Sequence, residues 1–214
     1  MAVYDLQEQE QIEALKAWWK QHSRLVVLVV VSCALTFGAV TGWRYYQNRQ
    51  ALAAGQLYGE METALNSGDK TKARDIAATI VTQYPRTGYA ALAALLGARI
   101  ADDLGDIADA KARLQWLTDN AGDDTTRDLA RLRLATLLLD EKKYPDALTL
   151  LETPHGAAWD ALYADLKGDV LVAQGRAGEA RAAYQMAIDK SSAQNAFRAL
   201  VQAKLDALGG GAAK

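Results

Sequence analysis

The chain has 214 residues, half of them hydrophobic and 23% charged, with a formal net charge of −2. Such a balance leaves no electrostatic footprint for nucleic acid, and one cysteine, Cys33, excludes a disulfide framework within the chain. Three prolines and two phenylalanines among abundant Ala and Leu point to an all-α protein with small residues at its helix contacts.

The first 24 residues are polar and mixed in charge. From Gln9 to Lys20 they have helical periodicity, with Ile12, Leu15 and Trp19 on one face. Leu25 to Trp43 follows, nineteen residues without an ionisable side chain except the Cys33 thiol, between Arg24 and Arg44. As a helix it spans ~28 Å at ~1.5 Å per residue, about the hydrocarbon thickness of a bilayer. Trp18 and Trp19 precede it, and Trp43, Tyr45 and Tyr46 follow it, marking both ends with rings that prefer the headgroup level. Lys16, Lys20 and Arg24 before the span outnumber Arg44 and Arg49 after it, which favours a cytoplasmic N-terminus.

A cleavable signal is disfavoured by the 24-residue acidic leader and by the lack of a small-x-small site. Val30-Val31-Ser32-Cys33 resembles a lipobox, but the chain stays apolar for ten residues beyond Cys33. The expected organisation is a cytoplasmic amphipathic tail (1–24), a transmembrane signal-anchor (25–43), a periplasmic helical domain (44–208) and a flexible tail (209–214).

After Gln50, helical patterns alternate with short polar breaks. Ala164, Gly168, Leu171, Gly175, Ala180, Tyr184 and Ala187 match the tetratricopeptide consensus in type and spacing, without its usual first tryptophan. Counting back from Ala180 gives Ala147, Ala110 and Ala73, at intervals of 33, 37 and 37 residues. The family period is about 34. Four helix pairs forming an α-solenoid are expected, with a capping helix from Ser191 to Leu208. Gly68, Gly105 and Gly175 are expected to end first helices in the left-handed conformation. Asp123 or Asp124 is expected to cap a following helix, and Tyr144-Pro145-Asp146 to open one. Thr153-Pro154-His155-Gly156 should cut the third second-helix short.

Chemistry is scarce. His22 and His155 have no second His or Cys at metal-ligand spacing, so neither a metal nor a cofactor is expected. His155, in a Pro/Gly turn, is a poor general base. Asp102-Asp103 and Asp123-Asp124 are adjacent pairs, and adjacent helical residues do not face one another. Surface remains. In a tetratricopeptide array first helices line the concave face, and the register puts Leu92, Leu95, Arg99, Leu129, Leu132, Thr136, Asp165 and Asp169 on or near it. Such a groove suits an extended or helical polypeptide.

Five segments together resemble the YfgM family. They are EQIEALKAWW (Glu10–Trp19), the apolar span, GWRYYQN (Gly42–Asn48), YAALAALLGAR (Tyr89–Arg99) and WDALYADLKGDVLVAQGRAGEARAAY (Trp159–Tyr184). The resemblance implies an ancillary subunit of the bacterial Sec translocon in the inner membrane, single-pass, with a cytoplasmic N-terminus and a periplasmic tetratricopeptide-like domain. It also implies association with SecYEG and with a PpiD-like membrane-anchored periplasmic chaperone, assisting exported client proteins. It brings no catalytic residues. Two other roles stay open: an envelope-stress signalling adaptor whose tail sequesters a regulator, and an outer-membrane assembly factor lipidated at Cys33.

Overall fold

A computed structural model describes residues 2–192 and 196–210, with side chains from residue 10 onward. All described secondary structure is helical: α1 (Ala2–Asn66), α2 (Lys70–Gln83), α3 (Gly88–Asp103), α4 (Ile107–Asn120), α5 (Asp124–Asp140), α6 (Tyr144–Leu151), α7 (Asp160–Ala173), α8 (Ala177–Lys190) and α9 (Ala196–Leu205). A 3-10 turn at Ala157–Trp159 precedes α7, and a π-type turn at Asp206–Gly210 follows α9. The chain divides into two units, residues 1–50 and 51–214.

In the first unit, α1 exposes Leu25, Leu28, Val31, Leu35 and Phe37. The Thr36 hydroxyl donates to the Ser32 carbonyl at 2.9 Å, which removes its polar cost in an apolar medium. Beside this run, Trp18 stacks on His22, and Arg49 donates to the Tyr45 hydroxyl. Among the described residues α1 is the one helix long and apolar enough to cross a membrane.

The second unit holds four antiparallel pairs: the end of α1 with α2, α3 with α4, α5 with α6, and α7 with α8. Each first helix ends in the same turn. Gly68, Gly105 and Gly175 have φ of +82°, +78° and +74°, and Lys142 takes the equivalent place at +61°. The next residue's N–H reaches back to close the helix: Asp69 to Ala64, Asp106 to Ala101, Lys143 to Leu138 and Arg176 to Leu171, at 2.8–2.9 Å. That residue is also the N-cap of the second helix, and Asp69 and Asp106 cap with their carboxylates. Lys142 adopts a conformation that costs an L-residue about 1 kcal/mol. Its place is visible only by counting five residues back from Ala147.

Asp123 caps α5, accepting from the Thr126 N–H at 2.8 Å, and Pro145 lies in the first turn of α6. The Thr153–Gly156 break limits α6 to eight residues. Ser191 belongs to the end of α8, where its hydroxyl donates to the Ile188 carbonyl. The capping helix, expected from Ser191 to Leu208, is described over Ala196–Leu205. The expected flexible tail falls mostly on 211–214, outside the described residues.

Small residues set the helix separation. Ala73, Ala110, Ala147 and Ala180 are each fully buried on a second helix. Gly168 lies under the Tyr184 ring, and a Cβ there would overlap ring carbons. The Tyr184 hydroxyl is anchored to the Asp169 carboxylate at 2.7 Å, so the ring has little freedom to move aside. The core is correspondingly divided into four clusters along the array, with Trp116 shared by two of them and Trp159 packed on another.

Gly168→Ala should cost ~1–3 kcal/mol by overpacking. In a Tyr184→Ala background the same change should cost little, giving a coupling energy above ~1 kcal/mol in urea denaturation. Equal costs in both backgrounds would contradict the close-approach argument.

Candidate functional site: a groove along the first helices

The packing of α3 explains why a groove exists. Ala90, Ala93, Ala94, Gly97, Ala98, Ile100 and Ala101 are buried and supply its contacts with α2 and α4. Leu92 is left over and is 49% exposed. A leucine at that exposure forgoes much of the ~1.5–3 kcal/mol that full burial gives. On α5, Ala130, Leu134, Ala135 and Leu137 are buried, while Arg133, Thr136 and Asp140 are exposed.

Together α3, α5 and Tyr58 enclose a groove of about 680 Å³. Its lining includes five of the eight residues expected from the register: Leu92, Leu95, Arg99, Leu129 and Thr136. Leu132 points instead toward Ala135, Ala147 and Leu151, where it is partly buried in the core. Asp165 and Asp169 lie on α7, where both bind the Lys204 ammonium of α9 at 2.8–3.0 Å. Burial pushes the Asp165 carboxyl up while Lys204 pulls it down, and burial is the larger effect.

Tyr58, Arg133 and Asp140, which the sequence did not single out, also line the groove, as do Asp102 and Asp103, noted there only as an adjacent pair. Asp103 is occupied: the hydrogen bond from Lys70 at 2.9 Å holds its carboxyl below the usual range, with a smaller pull from Arg99. Arg133, Asp102 and Asp140 make no hydrogen bond or ion pair through their side chains with a described residue. The groove thus offers leucines beside uncommitted charges of both signs. It contains no nucleophile–base pair, and among the described residues no three His, Cys, Asp or Glu stand as a metal site.

The family is decided by comparison. The profile of the tetratricopeptide repeat-like domain matches residues 16–210. A Neisseria gonorrhoeae protein called ancillary SecYEG translocon subunit is 32% identical over 207 residues, covering 95% of this chain and 98% of that one. A protein of the same name from Escherichia coli is 30% identical over 211 residues, covering 97% and 99%. The chain belongs to the YfgM family. No solved structure matches it.

In this YfgM family member, His155 is built into a structural knot. Its ring stacks on Tyr163 with centroids 3.9 Å apart, and its Nδ1 lies 2.8 Å from the Thr153 carbonyl. A carbonyl only accepts, so Nδ1 carries the proton in that contact. Its Nε2 lies 3.5 Å from Asp160, whose carboxyl is held low chiefly by the Lys190 hydrogen bond. The knot centres on Asp128, 2% exposed, whose carboxylate accepts from the Gly156 N–H at 2.9 Å and from Arg131 at 3.0 Å. The Tyr163 hydroxyl donates to the Asp128 carbonyl at 2.8 Å, and burial with the nearby Asp128 charge pushes that phenol up to about 12. The Pro/Gly turn is thereby fastened to α5 and α7. The signal in the sequence is an acid seven residues before Ala135 on the buried stripe of α5.

Asp128→Ala leaves the Gly156 N–H without its acceptor and should cost ~1–3 kcal/mol. Asp128→Asn keeps an acceptor and should cost less. Urea midpoints of the two variants check this, and equal costs would show that the carboxylate does not hold the turn.

Proposed function

We propose that this chain is a membrane-anchored accessory subunit of the SecYEG translocon whose groove receives polypeptide. Near full-length likeness to proteins named ancillary SecYEG translocon subunit carries the reading. The half-exposed Leu92 and the partly buried Leu95 and Leu129 support the binding role, since they line one groove with apolar surface still open to a partner. Residues 25–43 act as an uncleaved signal-anchor in the inner membrane, with residues 1–24 cytoplasmic and 44–208 periplasmic.

Anchoring does part of the work. A protein confined to the same membrane as its partner meets it at a raised effective concentration, so weak groove contacts suffice. The occupants in this reading are a PpiD-like membrane-anchored chaperone and newly exported client proteins. Each would place apolar side chains against Leu92, Leu95 and Leu129 while its charges meet Arg99, Arg133, Thr136, Asp102 and Asp140. Asp165 and Asp169, paired with Lys204, are not among the groove contacts in this reading.

A photoreactive residue at Leu92 or Leu129 in the full chain, in native membranes, should cross-link to SecYEG subunits, the chaperone or chains in transit. The same residue at Thr149, on α6, should not. Equal yields from both faces, or none from the groove with the chain correctly inserted, would refute the proposal.

A further inference from the structure

Counted as a whole, the side chains of residues 1–24 carry four acids and three bases, which gives no net attraction for an anion. Distance from the span changes that result. On a helix rising ~1.5 Å per residue, Arg24, Lys20 and Lys16 stand ~1.5, ~7.5 and ~13.5 Å from Leu25. Glu13 and Glu10 stand ~18 and ~22 Å from it. Asp5 and Glu8 precede them in the chain. With Leu25 at the edge of the hydrocarbon, the headgroup layer is ~5–8 Å thick, and charge is screened over ~8–10 Å. Arg24 and Lys20 therefore meet the headgroups, and Lys16 lies within screening reach of them. The acids are about 10 Å or more beyond the layer.

The three bases share one face. They recur every four residues, are exposed, and make no hydrogen bond or ion pair with a described residue. Ile12, Leu15, Trp18 and Trp19 occupy the opposite face. His22 turns back on Trp18, with ring centroids 5.2 Å apart and its Nδ1 3.0 Å from the Trp18 carbonyl. Below Arg24 the basic face runs into a shallow apolar furrow lined by Val27, Leu28, Val31 and Leu35. The other end of the span does not repeat this arrangement. Arg49 donates to the Tyr45 hydroxyl there, at 2.9 and 2.6 Å, which leaves Arg44 as the free base among the described residues near that end.

We infer that Lys16, Lys20 and Arg24 form a site for anionic phospholipid, with the phosphate at Lys20 and Arg24 and an acyl chain along Val27, Val31 and Leu35. A zwitterionic headgroup brings its own cation against these bases and an anionic one does not, so the site selects net negative charge. The inference rests on residues 25–43 crossing the membrane and is independent of what the groove binds. It holds for either side of the membrane that the tail occupies.

The full chain in nanodiscs of equal phosphatidylglycerol and phosphatidylcholine, released into native mass spectrometry, gives the ratio of the two lipids retained. An excess of phosphatidylglycerol of about threefold or more is expected. Lys20→Gln combined with Arg24→Gln should bring the ratio close to one. Lys72→Gln combined with Arg86→Gln removes the same charge from exposed positions in the second unit and should leave the excess unchanged. A ratio near one in the parent, or an excess that survives Lys20→Gln with Arg24→Gln, overturns the inference alone. A parent chain that does not enter the nanodiscs overturns the span and this inference with it.

Discussion

The array depends on how closely two helices of a pair can approach. Each second helix contributes at least one fully buried alanine, and the first helix answers with small residues such as Ala98 and Gly168. Close approach brings many weak atom contacts into range, and they add to the burial of large side chains such as Tyr163, Met61, Ile80 and Leu117 between the pairs. A pair built this way buries little apolar surface by itself, so it needs neighbours on both sides. The left-handed turn and the shared cap residue follow from the same need: they return the chain within three residues, before the helices can diverge.

The groove is a by-product of that economy. Because alanines, a glycine and Ile100 make the buried contacts of α3, Leu92 is left half-exposed while Leu95 and Leu96 are only partly buried against the core. Half-buried Leu129 lies across the groove on α5. Surface ion pairs such as Lys70–Asp103 and Lys111–Glu141 link successive repeats but add little individually. The knot around Asp128 matters more locally, since it fastens the break after the shortest helix. A helix long and apolar enough to cross a membrane, and a groove without a nucleophile–base pair among the described residues, suit the proposed role of a protein that acts by being in the right place.

Much of this was legible in the sequence, for physical reasons. Positive φ selects glycine, so Gly68, Gly105 and Gly175 mark turns openly, whereas Lys142 takes the same conformation with only its spacing from Ala147 to mark it. Faces follow from helical period, and Leu92, Leu95, Arg99, Leu129 and Thr136, placed on one face that way, line one groove. Period alone does not say which neighbour a stripe meets. Leu132 therefore went to the core, and Asp165 and Asp169 were taken by Lys204, whose position depends on where α9 returns. Asp128 was missed because its partners, Gly156 and Tyr163, are 28 and 35 residues away, and only folding brings them together.

The central claim is that α3 and α5 present a polypeptide-binding groove at the translocon. Hydrogen exchange of the full chain, co-reconstituted with SecYEG and a chain arrested in transit, tests it most directly. Slowed exchange confined to α3, α5 and the segment around Tyr58 is the predicted result. Unchanged exchange there, or protection confined to α4 and α6, would contradict it.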